Sequence, residues 1–559
     1  MRYLLPISFI FLLALMSCAP KETSENELRA FIDSHVKTVE RMIKAMNLAD
    51  WNSNATGEQR YYDEKAKLEL EIRKIFSNRD DFAKLKKFKE SGDIRDTLLQ
   101  RQLIALYNSY LGNQIDTVLM KKMVDKGAEI ARKFNTFRGK IDGKEVSDND
   151  ILTILKGERS SDKRKKAWEA SKQVGQEVAP LVVDLVKLRN QAAKQLGYEN
   201  YYVMSLALGE QDEKEIIGIF DELRQVTDAP FAELKKEIDV TLAKRYGIKP
   251  EQMRPWHYED PFFQEPPNVG EVDLDKYFKG MKVEELAQTF YSGIGLPVED
   301  ILKNSDIYPR KGKYQHAFCT DIDRLGDVRT MQNVTDNSYW MGTMLHELGH
   351  GVYSKNIDRS MPYLIRTEAH TFTTEAVAQL MERQASNADW LKAMVGVSDK
   401  EKDAIQKTVR QNLRLKELIF SRWSQVMVRF ERSMYQNPDQ DLNKLWWDLV
   451  EELQLVKRPE GRNEPDWAAK IHLAQYPVYY HNYMLGELMA SQVLNYMVKN
   501  VLKEGTTSDA CFVDKPAVGN YLKEKIFRPG AKYRWDDLIK FATGEALTAK
   551  YFADEFVTD

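Results

Sequence analysis

Cysteine is scarce, three in 559 residues, so no disulfide framework can hold this chain and a buried core must. Charge of one sign is not in excess either: 82 Lys and Arg stand against 85 Asp and Glu, a formal net charge of −3. That balance gives no footing for nucleic acid or for a strongly acidic partner. The one marked apolar run, Tyr3 to Met16, is too short to span a bilayer comfortably. No Gly/Ser linker, low-complexity tract or repeat of fixed period divides the chain. It therefore reads as one large two-lobed domain, where length alone predicts three or four. Histidine is rare as well, eight in all, which makes the places where it does occur informative.

The N-terminus reads as a secretory signal, Arg2 followed by the apolar run and then Ser17-Cys18. Leu15-Met16-Ser17-Cys18 also resembles a bacterial lipobox, in which residues 1–17 are removed and Cys18 is acylated. Residues 18–27 are then a tether and 28–559 the folded domain. A cysteine carrying more than one acyl chain anchors stably, which places the protein in a bacterial cell envelope, at a periplasmic or outer-membrane surface. Cys319 and Cys511 remain in the mature chain as one possible pair.

Two of the eight histidines stand four apart, in His346-Glu347-Leu348-Gly349-His350. On a helix this spacing stacks both imidazoles on one face, where they can grip one Zn²⁺. Glu347 then points at the open position of the metal and can take a proton from water there, giving a nucleophile for a peptide carbonyl. Asn333 to Ser338 can start a helix, and Tyr339 to Tyr353 contains no proline. A third ligand is required. Positions 353 and 356 are Tyr and Asn, which excludes the pattern with a third histidine six residues on. Downstream stand Glu368, Glu375 and Glu382. Glu375 lies in Thr371-Phe-Thr-Thr-Glu-Ala-Val-Ala-Gln-Leu-Met-Glu, a helix-like run whose alanines permit close packing, and is taken as the ligand. Glu382 is expected on the solvent side.

Elsewhere helical periodicity dominates. Leu28, Phe31, Ile32, Val36, Val39, Met42, Ile43 and Met46 recur at three and four, as do Leu181, Val182, Leu185, Val186 and Leu188 after Pro180. Helix-permissive stretches cover roughly 60–135, 213–245, 400–435 and 483–503. The exceptions are Pro255 to Val269 and Tyr308 to Val334; in the latter, Gln315 to Thr320 and Asp327 to Gln332 read as short strands flanking Gly326. An edge strand beside a metal helix could pair with an extended peptide. A second polar cluster, Lys470-Ile-His472 followed by Tyr479-Tyr480-His481-Asn-Tyr483, offers donors for an oxyanion. Taken alone it reads more readily as an aromatic packing stripe.

Together these motifs resemble the angiotensin-converting-enzyme-like zinc peptidyl-dipeptidases. The resemblance rests on His-Glu-Leu-Gly-His with Thr374-Glu-Ala-Val-Ala-Gln, on His316-Ala317 and Asp327-Val-Arg-Thr-Met-Gln, and on Lys470-x-His472 with Tyr480-x-x-Tyr483. Asp50-Trp51-Asn-Ser-Asn54, Trp168-Glu169, Asn190-Gln-Ala-Ala193 and Trp446-Trp447 extend it over nearly all of the mature chain. It implies an all-α, two-lobed ellipsoid with a deep central channel and a short β-ribbon beside the zinc helix. It also implies one zinc ion on His346, His350 and Glu375, with Glu347 as general base and acid. By the same resemblance His472 and Tyr483 stabilise the tetrahedral intermediate, His316 and Ala317 hold the substrate backbone, and Lys470 and Tyr480 bind the C-terminal carboxylate of a peptide.

There are departures. The glutamine that helps bind the carboxylate has no counterpart in Met253-Arg-Pro-Trp256-His257-Tyr258. Gln379 replaces an aspartate that orients a zinc histidine, and Val450 and Asn482 replace arginines that bind chloride. The spacing from His472 to the tyrosines is one residue longer than in the animal enzymes. His316-Ala-Phe318 is also similar to thermostable zinc carboxypeptidases, and the run after His472 to thimet-type oligopeptidases. Cleavage of single C-terminal residues or of internal bonds is thus the alternative activity. A peptide-binding lipoprotein without catalysis is the alternative from another class.

Overall fold

The computed structural model describes residues 24–270 and 273–557. Cys18 and the expected signal segment lie outside them. The fold is all-α, with two small antiparallel hairpins as its β-structure among the described residues. The first helix, Ser24–Thr56, begins inside the stretch expected as tether. Its Glu25 accepts hydrogen bonds from the backbone N–H groups of Arg95 and Asp96, and its Leu28 is fully buried. The apolar stripe read from the sequence draws this segment into the core.

The stretch 60–135 is four helices, Gln59–Phe76, Arg79–Ser91, Thr97–Leu111 and Thr117–Thr136. Asn78, Asp96 and Asp116 punctuate it by capping the N-termini of the last three. The stripe after Pro180 belongs to a longer helix, Ser161–Gln195, that runs through the proline. Proline removes one hydrogen bond there, but Val178, Val182, Leu185 and Val186 are all at most 2% exposed, and their burial outweighs the lost bond.

A small core joins the first, third and fourth helices through Leu28, Ile32, Leu85, Leu99, Leu103 and Tyr110. A much larger one runs from Ile130 to Phe556, with Trp168, Trp390, Trp423 and Trp535 fully buried in it. Trp51 and Ala55 of the first helix meet Ile322 and Met331 of the second hairpin in a third cluster. That hairpin pairs Phe318–Asp321 with Val328–Met331, in register Phe318↔Met331 to Asp321↔Val328, close to the two strands expected from sequence. Gly326 lies in its turn at φ +111°, a conformation that favours glycine. Between the first two helices and the large core lies a cavity of about 930 Å³.

Candidate active site

The motif helix spans Ser338–Lys355, and the Asn337 side chain caps it by accepting from the Trp340 N–H. His346 and His350 therefore share a face, with their Nε2 atoms 3.2 Å apart. The glutamate helix, Thr371–Glu382, crosses beside it and sets Glu375 Oε2 3.7 Å from His346 Nε2 and 3.8 Å from His350 Nε2. Donors about 2.0–2.2 Å from a tetrahedral zinc stand roughly 3.3–3.6 Å from one another, so this set fits the ion. Among the described residues it is the one group of three whose ligand atoms all lie within 4.8 Å. Glu368 lines the same cavity but hydrogen-bonds to Thr367 Oγ1 and is not part of the triad.

Small residues make this proximity possible. A Cβ on Gly349 would lie 2.8 Å from the Ala378 Cα, and one on Gly486 would lie 2.6 Å from Gln379 Oε1 and 3.1 Å from the Glu375 Cβ. Gly349 thus lets the motif helix touch the glutamate helix. Gly486 does the same for the tyrosine helix, His481–Tyr496, on the other side.

The far nitrogen of each imidazole is also held. His346 Nδ1 donates to Glu382 Oε2 at 3.0 Å, and Lys416 Nζ donates to Glu382 Oε1 at 3.0 Å. His350 Nδ1 is hydrogen-bonded to Thr374 Oγ1 at 2.8 Å. Both Nε2 atoms are thereby directed at the metal position. Two sequence expectations need correction here. Glu382 is half-buried on the cavity side and not on the outer surface, because two turns of helix beyond Glu375 return it beside His346. The Gln379 replacement does not leave that histidine unoriented, because Glu382 supplies the carboxylate. Gln379 instead donates to the Tyr483 carbonyl.

Glu347 is 7% exposed and lines the cavity. Burial, aided by the charges of Glu375 and Glu382 and opposed by His346, pushes its carboxyl up to about 7. A carboxyl raised by burial is a stronger base than an exposed one and can take a proton and return it. Tyr483 lines the same cavity, and burial raises its phenol far enough to stay a donor. Its ring lies 5.4 Å from that of Tyr480, which lies 5.3 Å from that of His472. His472 does not itself line the cavity. Burial lowers its pKa to about 4, and its buried Nδ1 has no partner among the described residues.

The segment between His472 and Tyr480 passes through Val478 at φ +54°, an uncommon conformation for a β-branched residue. The buried Glu431 pins it by accepting the Val478 N–H at 2.8 Å. Tyr480 Oη accepts from Trp423 Nε1 at 2.6 Å. Ala317 through Asp321 all line the cavity, so the edge strand forms one wall, whereas the His316 side chain is exposed and packs on Tyr314.

Lys470 lies over the rings of Phe262, Trp423 and Tyr480 at 5.3–5.6 Å. Its Nζ donates to Gln264 Oε1 at 2.6 Å. Residues 253–258, where the resemblance places such a glutamine, hold none; the fold brings one from six residues further on. Among the described residues Lys470 has no carboxylate within 4 Å, and burial lowers its pKa to about 8 against the charges of Asp260 and Glu265. The supporting motif residues serve packing: Asn190 bridges Tyr201 N–H and the Tyr435 carbonyl, and Trp447 donates to Asp466. Val450 is buried, and Asn482 bonds to Gln211. Cys319 and Cys511 are both free.

An all-α scaffold holding a His-Glu-x-x-His pair, completed by a glutamate from the next helix, defines a zinc metallopeptidase. The chain belongs to peptidase family M3, whose model matches residues 154–558. A model described as angiotensin-converting enzyme matches residues 22–251. Among relatives, the angiotensin-converting enzyme-like protein Ace3 of Mus musculus is 20% identical over 73% of this chain and 59% of its own length. The angiotensin-converting enzymes of Sus scrofa and Bos taurus are 21% and 22% identical over 71% of this chain. The chain matches only 32% of the length of those two.

Proposed function

We propose that this peptidase releases dipeptides from the C-terminus of peptides. The observation that carries the reading is Lys470, a cation set among aromatic rings and bonded to Gln264 and to no carboxylate within 4 Å among the described residues. A cation removed from water without a counter-charge is costly, and the terminal carboxylate of a peptide supplies one. Held there by Lys470, Gln264 and Tyr480, a substrate extends along the strand edge at Ala317 to Asp321 toward Glu347. A bound zinc ion on His346, His350 and Glu375 would polarise the scissile carbonyl and acidify the attacking water. Glu347 takes the proton from that water and returns it to the leaving amine. Tyr483, which lines the cavity, donates to the developing oxyanion, and His472 packs behind it through the Tyr480 ring.

In this reading a lipid on Cys18 holds the enzyme at the bacterial envelope, where its substrates are peptides. Val450 and Asn482 leave no arginine at the two chloride positions, so activity changes little with chloride. A second reading, release of single residues or internal cleavage by the same machinery, draws support from the reach of the family matches. The M3 match includes every site residue from His316 to Tyr483, whereas the angiotensin-converting-enzyme match ends at residue 251.

One unblocked heptapeptide, assayed as free acid and as amide with products identified by mass spectrometry, separates the two. Dipeptide products and a free-acid rate about 30-fold or more above the amide are expected, the lower end for loss of one charged partner. Equal internal cleavage of both forms would replace this reading by the second.

A further inference from the structure

Behind the glutamate helix the main cavity continues into a side pocket of about 210 Å³. Gln379, Glu382, Lys416, Glu417 and Glu487 line both spaces. The cations of the side pocket are already matched in charge, although Arg383 Nε has no hydrogen-bond partner among the described residues. Lys416 pairs with Glu382, and Arg383 pairs with both Glu487 and Glu555. The acceptors are not. Glu417 is 1% exposed and Gln379 8% exposed, yet Glu417 Oε2 and Gln379 Oε1 have no hydrogen-bond partner among the described residues. Buried acceptors without donors are costly, and a ligand that brings N–H donors and positive charge would satisfy them once the Glu417 and Gln379 side chains turn into the pocket.

The approach to this pocket is set by three consecutive residues. Gln264 accepts from Lys470, Glu265 is exposed to the main cavity with no cation within 4 Å among the described residues, and Pro266 lines the side pocket. Consecutive Cα atoms are about 3.8 Å apart. A single substrate residue can therefore place its α-carboxylate at Lys470 and a long side chain past Glu265 into the pocket. At about 30 Å³ per water the pocket has room for roughly seven waters, enough for such a side chain.

We propose that this side pocket receives the lysine or arginine side chain of the C-terminal residue of the substrate, with Glu265 at its mouth and Glu417 and Gln379 inside. The assignment rests on the reading of Lys470 as the carboxylate anchor. Guanidinium and ammonium groups bring five and three donors respectively and no acceptor, which matches a pocket lined by the carboxylates of Glu382, Glu417 and Glu487, of which Glu417 has no cation within 4 Å among the described residues.

Heptapeptides that differ only in their last residue, Arg, Leu or Glu, each as free acid and amide, test the proposal. The free acid ending in Arg should be cleaved with kcat/KM about tenfold or more above the one ending in Leu, and the one ending in Glu should be poorest. Glu265→Gln and Glu417→Gln should each bring the Arg-to-Leu ratio toward one. Glu265 is on the cavity surface, so its variant tests the idea even if Glu417→Gln folds poorly. Equal cleavage of the Arg and Leu free acids, with the amides still poor, overturns the side-pocket assignment and leaves the anchor standing. So does an equal loss on both peptides in Glu265→Gln. Equal cleavage of acid and amide overturns the anchor and this proposal with it.

Discussion

At Glu347 and Glu382 one carboxylate oxygen separates two roles, moving a proton and holding a ligand. Glu347→Gln keeps the volume and removes the base, so hydrolysis should fall by about 10²–10⁴-fold while metal analysis still finds one zinc per chain. Glu382→Gln should instead raise the zinc dissociation constant about 10- to 100-fold in a chelator competition, because it weakens the grip on His346 Nδ1. Lys470 adds a pH signature. With its pKa near 8 in the free enzyme, it is charged below that pH and neutral above it. The kcat/KM for free-acid peptides should therefore drop above about pH 8 relative to the amides, and Lys470→Ala should abolish the difference. A ratio flat from pH 7 to 10 in the wild type would remove Lys470 from carboxylate binding.

The residues legible in the sequence were those whose partners are local. His346, Glu347 and His350 share one helical turn, and Glu375 stands in an obvious next helix. Gln264 was not legible, because 206 positions separate it from Lys470. Glu382 was misplaced because its position at the cavity depends on Lys416 of another helix, Asp399–Gln436.

At the scale of elements, the site is a contact between three helices with glycine at the crossings. Gly349→Ala must push the Ala378 backbone away, which should cost about 1–3 kcal/mol, read as a lower urea midpoint, and should weaken zinc as well. A variant of unchanged stability and zinc affinity would show that the helices can part without consequence. The sequence announced these elements by period and by punctuation. It located the hairpin to within a few residues, because two short strands about a glycine turn are a local pattern. It did not show the helix running through Pro180, since only the packing of Val178 and Val182 on either side keeps it intact.

For the molecule as a whole, helical period, the motifs and the family resemblance gave a two-lobed helical peptidase with a central channel, but not which elements form the small N-terminal core and which the large one. That division depends on which apolar stripes face each other, and helical period does not record this. The first helix lines the cavity and follows directly on the segment carrying Cys18. In the envelope reading, Cys18→Ser should move the protein from the membrane to the soluble fraction with peptidase activity intact; a wild-type protein already soluble after fractionation would end that reading.

The crossing at Gly349 and Ala378 also sets how the protein handles an ion. The spacing of imidazoles and carboxylate is dictated by backbone contact, so the triad is a rigid chelator assembled at folding rather than a pair of loops gathered by metal. Stripping zinc should leave the helical circular dichroism unchanged, and one equivalent of zinc should restore full activity with no refolding phase. Loss of helix on stripping would mean that the ion, and not the packing, builds the site.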